Sequence, residues 1–211
     1  MSKTDPLDDW LSTQPTKVHR RANRLMSVVR DAYPIGVPAL IVKSQTDRLG
    51  DSGGYAFHLG TPDDVLRRIC SWLLTHGEER VLLDLVHELW TRHGREDVAL
   101  AALLLANLQT VDNVWMVLGE VVGSSSTAEA LLLSIEECLR AKHASPSEEL
   151  LIEWCQRSLA HSHLALLVCH AAWIRAKRPP LSPSLSDQFR SISYPDGDSL
   201  LVRIRDQMLD S

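Results

Sequence analysis

At 211 residues, 45% hydrophobic and 23% charged, the chain is long enough to bury a sizeable core and too apolar to be a disordered polymer. Its formal charge of −5 excludes a domain that is basic overall, so any nucleic-acid contact has to come from a local basic face on an acidic body. The four cysteines, Cys70, Cys138, Cys155 and Cys169, show no CxxC spacing and sit inside apolar helical patterns, the usage of reduced core residues in a cytoplasmic protein.

The first ten residues, MSKTDPLDDW, are acidic and lack the apolar stretch of a signal peptide. No segment carries roughly 18 consecutive apolar residues, so no membrane contact is expected. Residues 1–16, with Pro6 and Pro15, read as a flexible arm anchored by Leu7, Trp10 and Leu11. Residues 17–31 are predicted helical, because Val18, Ala22, Leu25, Val28 and Val29 share one face, with His19, Arg20, Arg21 and Arg24 around the rest. Pro34 and Pro38 break the chain, and residues 39–49 read as a short helix before a loose loop at 51–60. The GDSGG string at 50–54 matches a serine-protease signature, but its neighbours are helical and no His/Asp partner stands in a β-rich context.

Thr61-Pro62-Asp63-Asp64 supplies an N-cap hydroxyl, a proline at the first helical position and acids in the first turn, so a helix is predicted to run to His76. Further helices are predicted over 79–93, 95–107, 111–122 and 127–143, with a turn at His93-Gly94. Ser145-Pro146-Ser147-Glu148 reads as a capping box opening a helix to Ala160, and Ser162 opens another that ends before Pro179-Pro180. Pro183 closes a linker, and Asp198 caps a last amphipathic helix with Leu200, Leu201, Ile204 and Met208 inward. Between 82 and 122 the chain is so apolar that helices must pack on both sides of its middle, with Leu103, Leu104, Val117 and Leu118 buried. Six of the eleven aromatic residues are tryptophan, and Trp72, Trp90, Trp115, Trp154 and Trp173 are core candidates.

No strand pair has a hairpin signal. Helices of about 12 to 17 residues alternate with short turns, which force antiparallel neighbours, and pairing them gives a period near that of helical-hairpin repeats. The predicted fold is all-α, a right-handed superhelical arc of antiparallel hairpins over residues 17–178, with 179–211 as a linker and a C-terminal helix packed on the same domain.

Particular residues suggest a family. Tyr33-Pro-Ile-Gly-Val-Pro38 resembles the turn near the start of the DNA alkylation-repair glycosylases built from HEAT-like repeats. His87-Glu-Leu-Trp90, Arg95-Glu96 and Ala101-Ala-Leu-Leu-Leu105 resemble their Leu-Trp…Glu…Leu-Ala-Ala-Leu-Leu stretch, and Ile152-Glu-Trp154, Ser158 and His163-Leu164 resemble their fourth repeat. The resemblance covers roughly residues 30 to 175 and implies HEAT-like repeats and duplex DNA as partner. In that family a Trp-Asp-x-x-Asp pattern supplies the acid that stabilises the cationic sugar. With Trp115 as the motif tryptophan, the acid position here is Gly119; in the alternative register, Ser124 to Leu132, neither the tryptophan nor the aspartate is present. The arginines that follow the fourth-repeat tryptophan are replaced by His163-Leu-Ala-Leu-Leu167.

The chemistry expected is therefore DNA binding without base excision. The alternatives are a protein-interaction scaffold that uses a concave face and, next, an active alkylpurine glycosylase whose acid has moved to Glu120 or Glu129. The candidate phosphate contacts are Arg20, Arg21 and Arg24, with Lys17 and His19 beside them, and a second cluster of Arg140, Lys142, Arg175, Lys177 and Arg178. Neither cluster has interleaved aromatics, which disfavours stacking on single strands. Cys155, His161, His163, Cys169 and His170 lie close in sequence but lack metal-ligand spacing, so no metal or cofactor is expected. Asp84, Glu88, Glu96 and Asp97 read as a solvated rim with Arg92 and Arg95, and His87 as a satisfied helical histidine.

Overall fold

The computed structural model describes residues 5–42, 54–109, 113–123, 128–194 and 199–210. Among these, every regular element is helical. The elements are α1 (Pro6–Ser12), a 3-10 turn (Thr16–Arg20), α2 (Ala22–Ala32), α3 (Asp63–His76), α4 (Glu79–Arg92), α5 (Arg95–Asn107), α6 (Val114–Val121), α7 (Ala128–Arg140), α8 (Glu148–Arg157), α9 (Leu159–Arg175), α10 (Pro183–Ser191) and α11 (Ser199–Leu209). The chain divides into two compact units, Met1–Asp112 and Asn113–Ser211. Most of the GDSGG string, the Asp198 cap and residues 124–127 of the second motif register lie outside the described residues.

The first unit is built round α5. Every residue of that helix from Glu96 to Ala106 is buried. Its sequence explains this: a helix apolar all round its surface has no face to give to water and has to be covered on all sides. α3 and α4 pack on it directly, and α2 packs on α4. These are amphipathic, each with one apolar stripe: Leu66, Ile69, Cys70 and Leu73 on α3, and Leu82, Leu85, Val86, Leu89 and Trp90 on α4. Trp90 is buried on that stripe, as its spacing from Val86 requires. Within the 1–16 arm, α1 is a real helix capped by the Asp5 carboxylate, which accepts from the Leu7 amide at 2.9 Å. It seats Leu7 and Leu11 in the core.

The turn between α4 and α5 does not follow the usual assignment of its two residues. His93, not the glycine, takes the left-handed conformation, at φ 58. Gly94 has ordinary extended geometry and is needed for space, since a Cβ there would fall 2.0 Å from the Phe57 ring.

The second unit repeats the plan with α9 at its centre, buried without interruption from Ser162 to Cys169. α7, α8 and α11 pack on it, and α10 packs on α8 and α11. Trp154 is fully buried, and Trp115 and Trp173 nearly so. Of the four middle residues expected inside, Leu103, Leu104 and Leu118 are buried and Val117 is half-buried. All four cysteines are free; Cys155 is half-buried and the others are buried.

Several helix boundaries differ from the sequence reading, and at Thr61 and Ser162 the reason is that the hydroxyl goes to another partner. Thr61 does not cap α3, because its hydroxyl donates to the Tyr33 carbonyl at 3.0 Å. The cap of α8 is Ser147 rather than Ser145, accepting from the Leu150 amide at 3.3 Å. α9 starts earlier than Ser162, with Ser158 accepting from the His161 amide at 3.4 Å. Ser162 instead donates inside the helix to the Cys155 and Ser158 carbonyls. Pro183 opens a helix where a linker was expected: Ser182 caps it, and Phe189 and Leu185 are buried. The predicted helix over 17–31 breaks at Arg21, which is extended at φ −151.

Candidate functional site

The two basic clusters differ in the helix ends that they occupy. In the second unit, Arg175 Nη1 donates to the Leu139 carbonyl at 3.0 Å, which brings the C-terminal ends of α7 and α9 together. Arg140, Lys142, Arg175, Lys177 and Arg178 gather there, all exposed. Lys142, Lys177 and Arg178 take left-handed backbone angles that end the two helices. Arg140 is paired with Glu137 at 2.9 Å, and the Arg178 guanidinium lies over the Trp173 ring at 5.5 Å. A helix C-terminus is a negative end and attracts cations, so helix termination accounts for this cluster without a partner.

In the first unit's cluster, Lys17 and Arg20 stand in the last turn of the 3-10 turn and share that account, but Arg21 and Arg24 do not. Arg21 is the N-cap residue of α2 without a side-chain cap, Arg24 follows in the first turn, and no acid stands in that turn. Positive charge at a positive helix end is unfavourable by roughly 0.3 to 1 kcal/mol per group. Lys17, Arg20, Arg21 and Arg24 are all exposed. Among the described residues none of the four has a carboxylate at ion-pair distance, whereas Arg67, Arg68, Arg92, Arg140, Arg157, Arg190 and Arg205 each have one. Arg24 Nη1 reaches only the Lys17 carbonyl, at 3.3 Å.

Aromatic rings do accompany this cluster, contrary to the sequence reading. His19 is buried, and its ring centroid lies 4.7 Å from that of Trp72 and 5.4 Å from that of His76. Trp72 is correspondingly half-buried rather than part of the core. Burial pushes the His19 imidazole below its ordinary pKa, and the neighbouring His76 pushes it the same way.

The carboxylates at the start of α5 are the opposite of a solvated rim. Glu96 and Asp97 are both fully buried. Glu96 Oε1 accepts the backbone amides of Leu59 and Gly60 at 2.9 Å and of Thr61 at 3.3 Å. Asp97 accepts the Tyr33 hydroxyl at 3.0 Å, lies 3.4 Å from the Arg92 Nε, and takes the Gly94 amide at 3.3 Å. Arg92 in turn covers the Phe57 ring at 4.4 Å. Nothing from solvent reaches these groups, so their work is to fasten the irregular segment 57–61 and the end of α2 to α5. Burial raises the Asp97 carboxyl above the ordinary 3.8, against the pull of Arg92, Tyr33 and the Gly94 amide. A carboxyl raised on folding contributes stability that is full below 3.8 and is lost as pH rises through the folded value. Thermal melts of Asp97→Asn are therefore expected to lose stability less steeply than wild type as pH rises above that point.

The relocated-acid candidates Glu120 and Glu129 are both exposed. Gly119 is buried, its carbonyl lies 2.8 Å from His161 Nε2, and a Cβ on it would sit 2.8 Å from Trp154 Nε1. The sequence cluster of cysteines and histidines does not converge on a metal. His161 binds the Gly119 carbonyl, His163 the Ser193 carbonyl at 3.2 Å and His170 the Gln207 side chain at 3.4 Å. Among the described residues no group of three or more His, Cys, Asp or Glu is placed to hold a metal, and no helix is long and apolar enough to cross a membrane. His87 is exposed on α4. No protein-family model, no curated protein and no solved structure matches this chain.

Proposed function

We propose that this protein binds duplex DNA through the sugar–phosphate backbone and excises no base. The observation that carries this reading is the set Lys17, Arg20, Arg21 and Arg24: exposed, without acidic partners among the described residues, and including Arg21 and Arg24 at the N-terminus of α2, where the helix dipole opposes them. Such an arrangement suits an anion, and regularly spaced phosphates are the anion that rewards several arginines at once. The absence of excision is supported by the exposure of Glu120 and Glu129 and by the Trp154 indole filling the space beside Gly119. The repeat reading is supported by two hairpins with very short turns, α4–α5 and α8–α9, each pairing an amphipathic helix with a buried one. HEAT-like repeats in a right-handed arc are the arrangement proposed for them.

The test is anisotropy of a labelled blunt duplex across a salt series. Wild type is expected to bind at low salt, with log affinity falling steeply against log salt. Replacing Arg20, Arg21 and Arg24 with Gln is expected to flatten that slope by roughly 2.7, about 0.9 per lost phosphate contact. The same change at Arg175, Lys177 and Arg178 is expected to flatten it less, because Arg175 and Arg178 are engaged with the Leu139 carbonyl and the Trp173 ring. No binding at low salt would sink the reading and favour a protein-interaction scaffold. Release of methylated purines would sink the non-enzyme part of it.

A further inference from the structure

The short turn between α8 and α9 sets a hydroxyl on an imidazole. Ser158 Oγ lies 2.7 Å from His161 Nδ1, and His161 Nε2 lies 2.8 Å from the Gly119 carbonyl of α6. A carbonyl oxygen only accepts, so Nε2 carries the ring hydrogen and donates to Gly119. In the neutral ring that leaves Nδ1 bare, and the Ser158 hydroxyl donates to it. A hydroxyl on a base, with the base turned and fixed by a third group, is the arrangement that activates a nucleophile. All three residues belong to the second unit, whereas Lys17, Arg20, Arg21 and Arg24 belong to the first.

Local structure explains each contact singly but not the two together. Ser158 caps α9 and accepts the His161 amide at 3.4 Å. Ser147 does the same for α8, accepting the Leu150 amide at 3.3 Å, and there the third helical residue is a leucine. Capping therefore requires neither a histidine nor a bond donated by the hydroxyl. The Gly119 carbonyl is among the last four of α6, which have no acceptable donor one turn on inside the helix, so His161 Nε2 satisfies it. That fixes the ring but does not call for a hydroxyl on its other nitrogen. The pair is also open to solvent: Ser158 is exposed, His161 is half-buried, and Leu159, next in the chain, is 47% exposed. The amides of Leu159 and Ala160 open α9 without an acceptor inside the helix, so they are available to the oxygen that turns negative when a carbonyl carbon is attacked. The third group is a neutral carbonyl and stabilises an imidazolium less than a carboxylate does. That restricts the pair to substrates whose leaving group departs readily, which selects activated esters over amides.

We propose that Ser158 and His161 are a nucleophile–base pair that takes the acyl group from small activated esters and passes it to water. Ser158 Oγ bonds to the ester carbonyl carbon as its proton passes to His161 Nδ1. The bond from that carbon to the leaving oxygen then breaks, and the leaving oxygen takes the proton from Nδ1. Water next gives a proton to Nδ1 as its oxygen bonds to the acyl carbon. The bond from that carbon to Oγ breaks, the proton returns to Oγ, and the free acid departs. The Gly119 carbonyl holds the ring throughout and touches no reacting atom, which makes it a positioning group.

Incubation of the full chain with p-nitrophenyl acetate, followed by release of p-nitrophenolate, tests the reaction. Ser158→Asn keeps a capping oxygen and removes the hydroxyl, and it is expected to release phenolate at least tenfold more slowly than wild type. A fluorophosphonate, whose fluoride leaves as Oγ bonds to phosphorus, locates the nucleophile by peptide mass spectrometry. Ser158 is expected to be labelled at least tenfold faster than Ser147, the exposed cap of α8 that has no histidine three residues on. His161→Gln is expected to slow labelling of Ser158 at least tenfold and to leave Ser147 unchanged, with a melting curve to show that the fold is intact. If that variant fails to fold, Ser158→Asn and the comparison with Ser147 decide. The proposal is overturned if Ser158→Asn releases phenolate as fast as wild type, if Ser158 is labelled no faster than Ser147, or if folded His161→Gln is labelled as wild type is. A serine that only caps and a histidine that only packs give those results. Neither variant touches the first unit's arginines, and the salt series on blunt duplex reads the DNA proposal separately, so each can fail alone.

Discussion

Glu96→Ala is expected to lower stability by about 4 to 5 kcal/mol, read as a fall in the urea midpoint with little change in slope. The carboxylate is fully buried, and one of its oxygens gathers three consecutive backbone amides from Leu59, Gly60 and Thr61. Those amides belong to a segment without helix or strand, so no helix or sheet ladder supplies them another acceptor. Truncation removes the acceptor for all three at once and leaves a cavity beside the most buried helix of the unit. His58, whose Nε2 lies 3.7 Å from the same oxygen, loses that neighbour too. Glu96→Gln separates charge from shape. It keeps one acceptor oxygen but places an amide nitrogen where Oε2 has no hydrogen-bond partner, so an intermediate cost of about 2 kcal/mol is expected. If Glu96→Ala costs under about 1 kcal/mol, the segment is held by its apolar contacts, such as Phe57 against Gly94, and the carboxylate is incidental.

That network also marks what a sequence discloses and what it hides. The all-α class and the central helix α5 are legible because a run such as Val98 to Ala106 offers no polar face. The role of Glu96 is not legible, because its partners are backbone amides as far as 37 residues away, and backbone amides leave no signature in composition. The misplaced caps have the same origin. Thr61, Ser147 and Ser158 sit in sequences that each allow more than one helix start, and a distant acceptor such as the Tyr33 carbonyl decides which hydroxyl is free to cap. The basic clusters could be found by counting charges. That Arg21 and Arg24 lie at a helix N-terminus while the other cluster lies at two C-termini needed the helix boundaries, and that difference separates a costly placement from a comfortable one. The rings beside the first cluster were missed because His19 and Trp72 meet only once α3 packs near the 3-10 turn.

Gly119→Asp, the change that would put a carboxylate at the position where the resembled glycosylases carry their acid, is expected to cost more than about 4 kcal/mol and to confer no base release. Glycine inside a helix normally weakens it by roughly 0.5 to 1 kcal/mol relative to alanine, so on local grounds alone the substitution ought to help. Tertiary packing reverses the sign. A Cβ at 119 lies 2.8 Å from Trp154 Nε1 and 3.1 Å from both Cε2 and Cζ2, and Trp154 is fully buried with no open side into which to retreat. Overpacking of this kind typically costs about 1 to 3 kcal/mol, which is the expectation for Gly119→Ala. The aspartate adds a carboxylate pressed against an indole, away from solvent, and it strains the backbone whose carbonyl meets His161 at 2.8 Å. Chemical denaturation of the two variants beside wild type gives the comparison, and single-turnover incubation with methylated duplex reads the chemistry. If Gly119→Asp folds as stably as wild type, Trp154 has room to move and this position is able to hold an acid. If it also releases methylated purines, only one side chain separates the chain from excision chemistry. The expected result is instead that the alanine is tolerated poorly and the aspartate worse, because the volume that a catalytic carboxylate needs is taken up by the tryptophan that holds the second unit together.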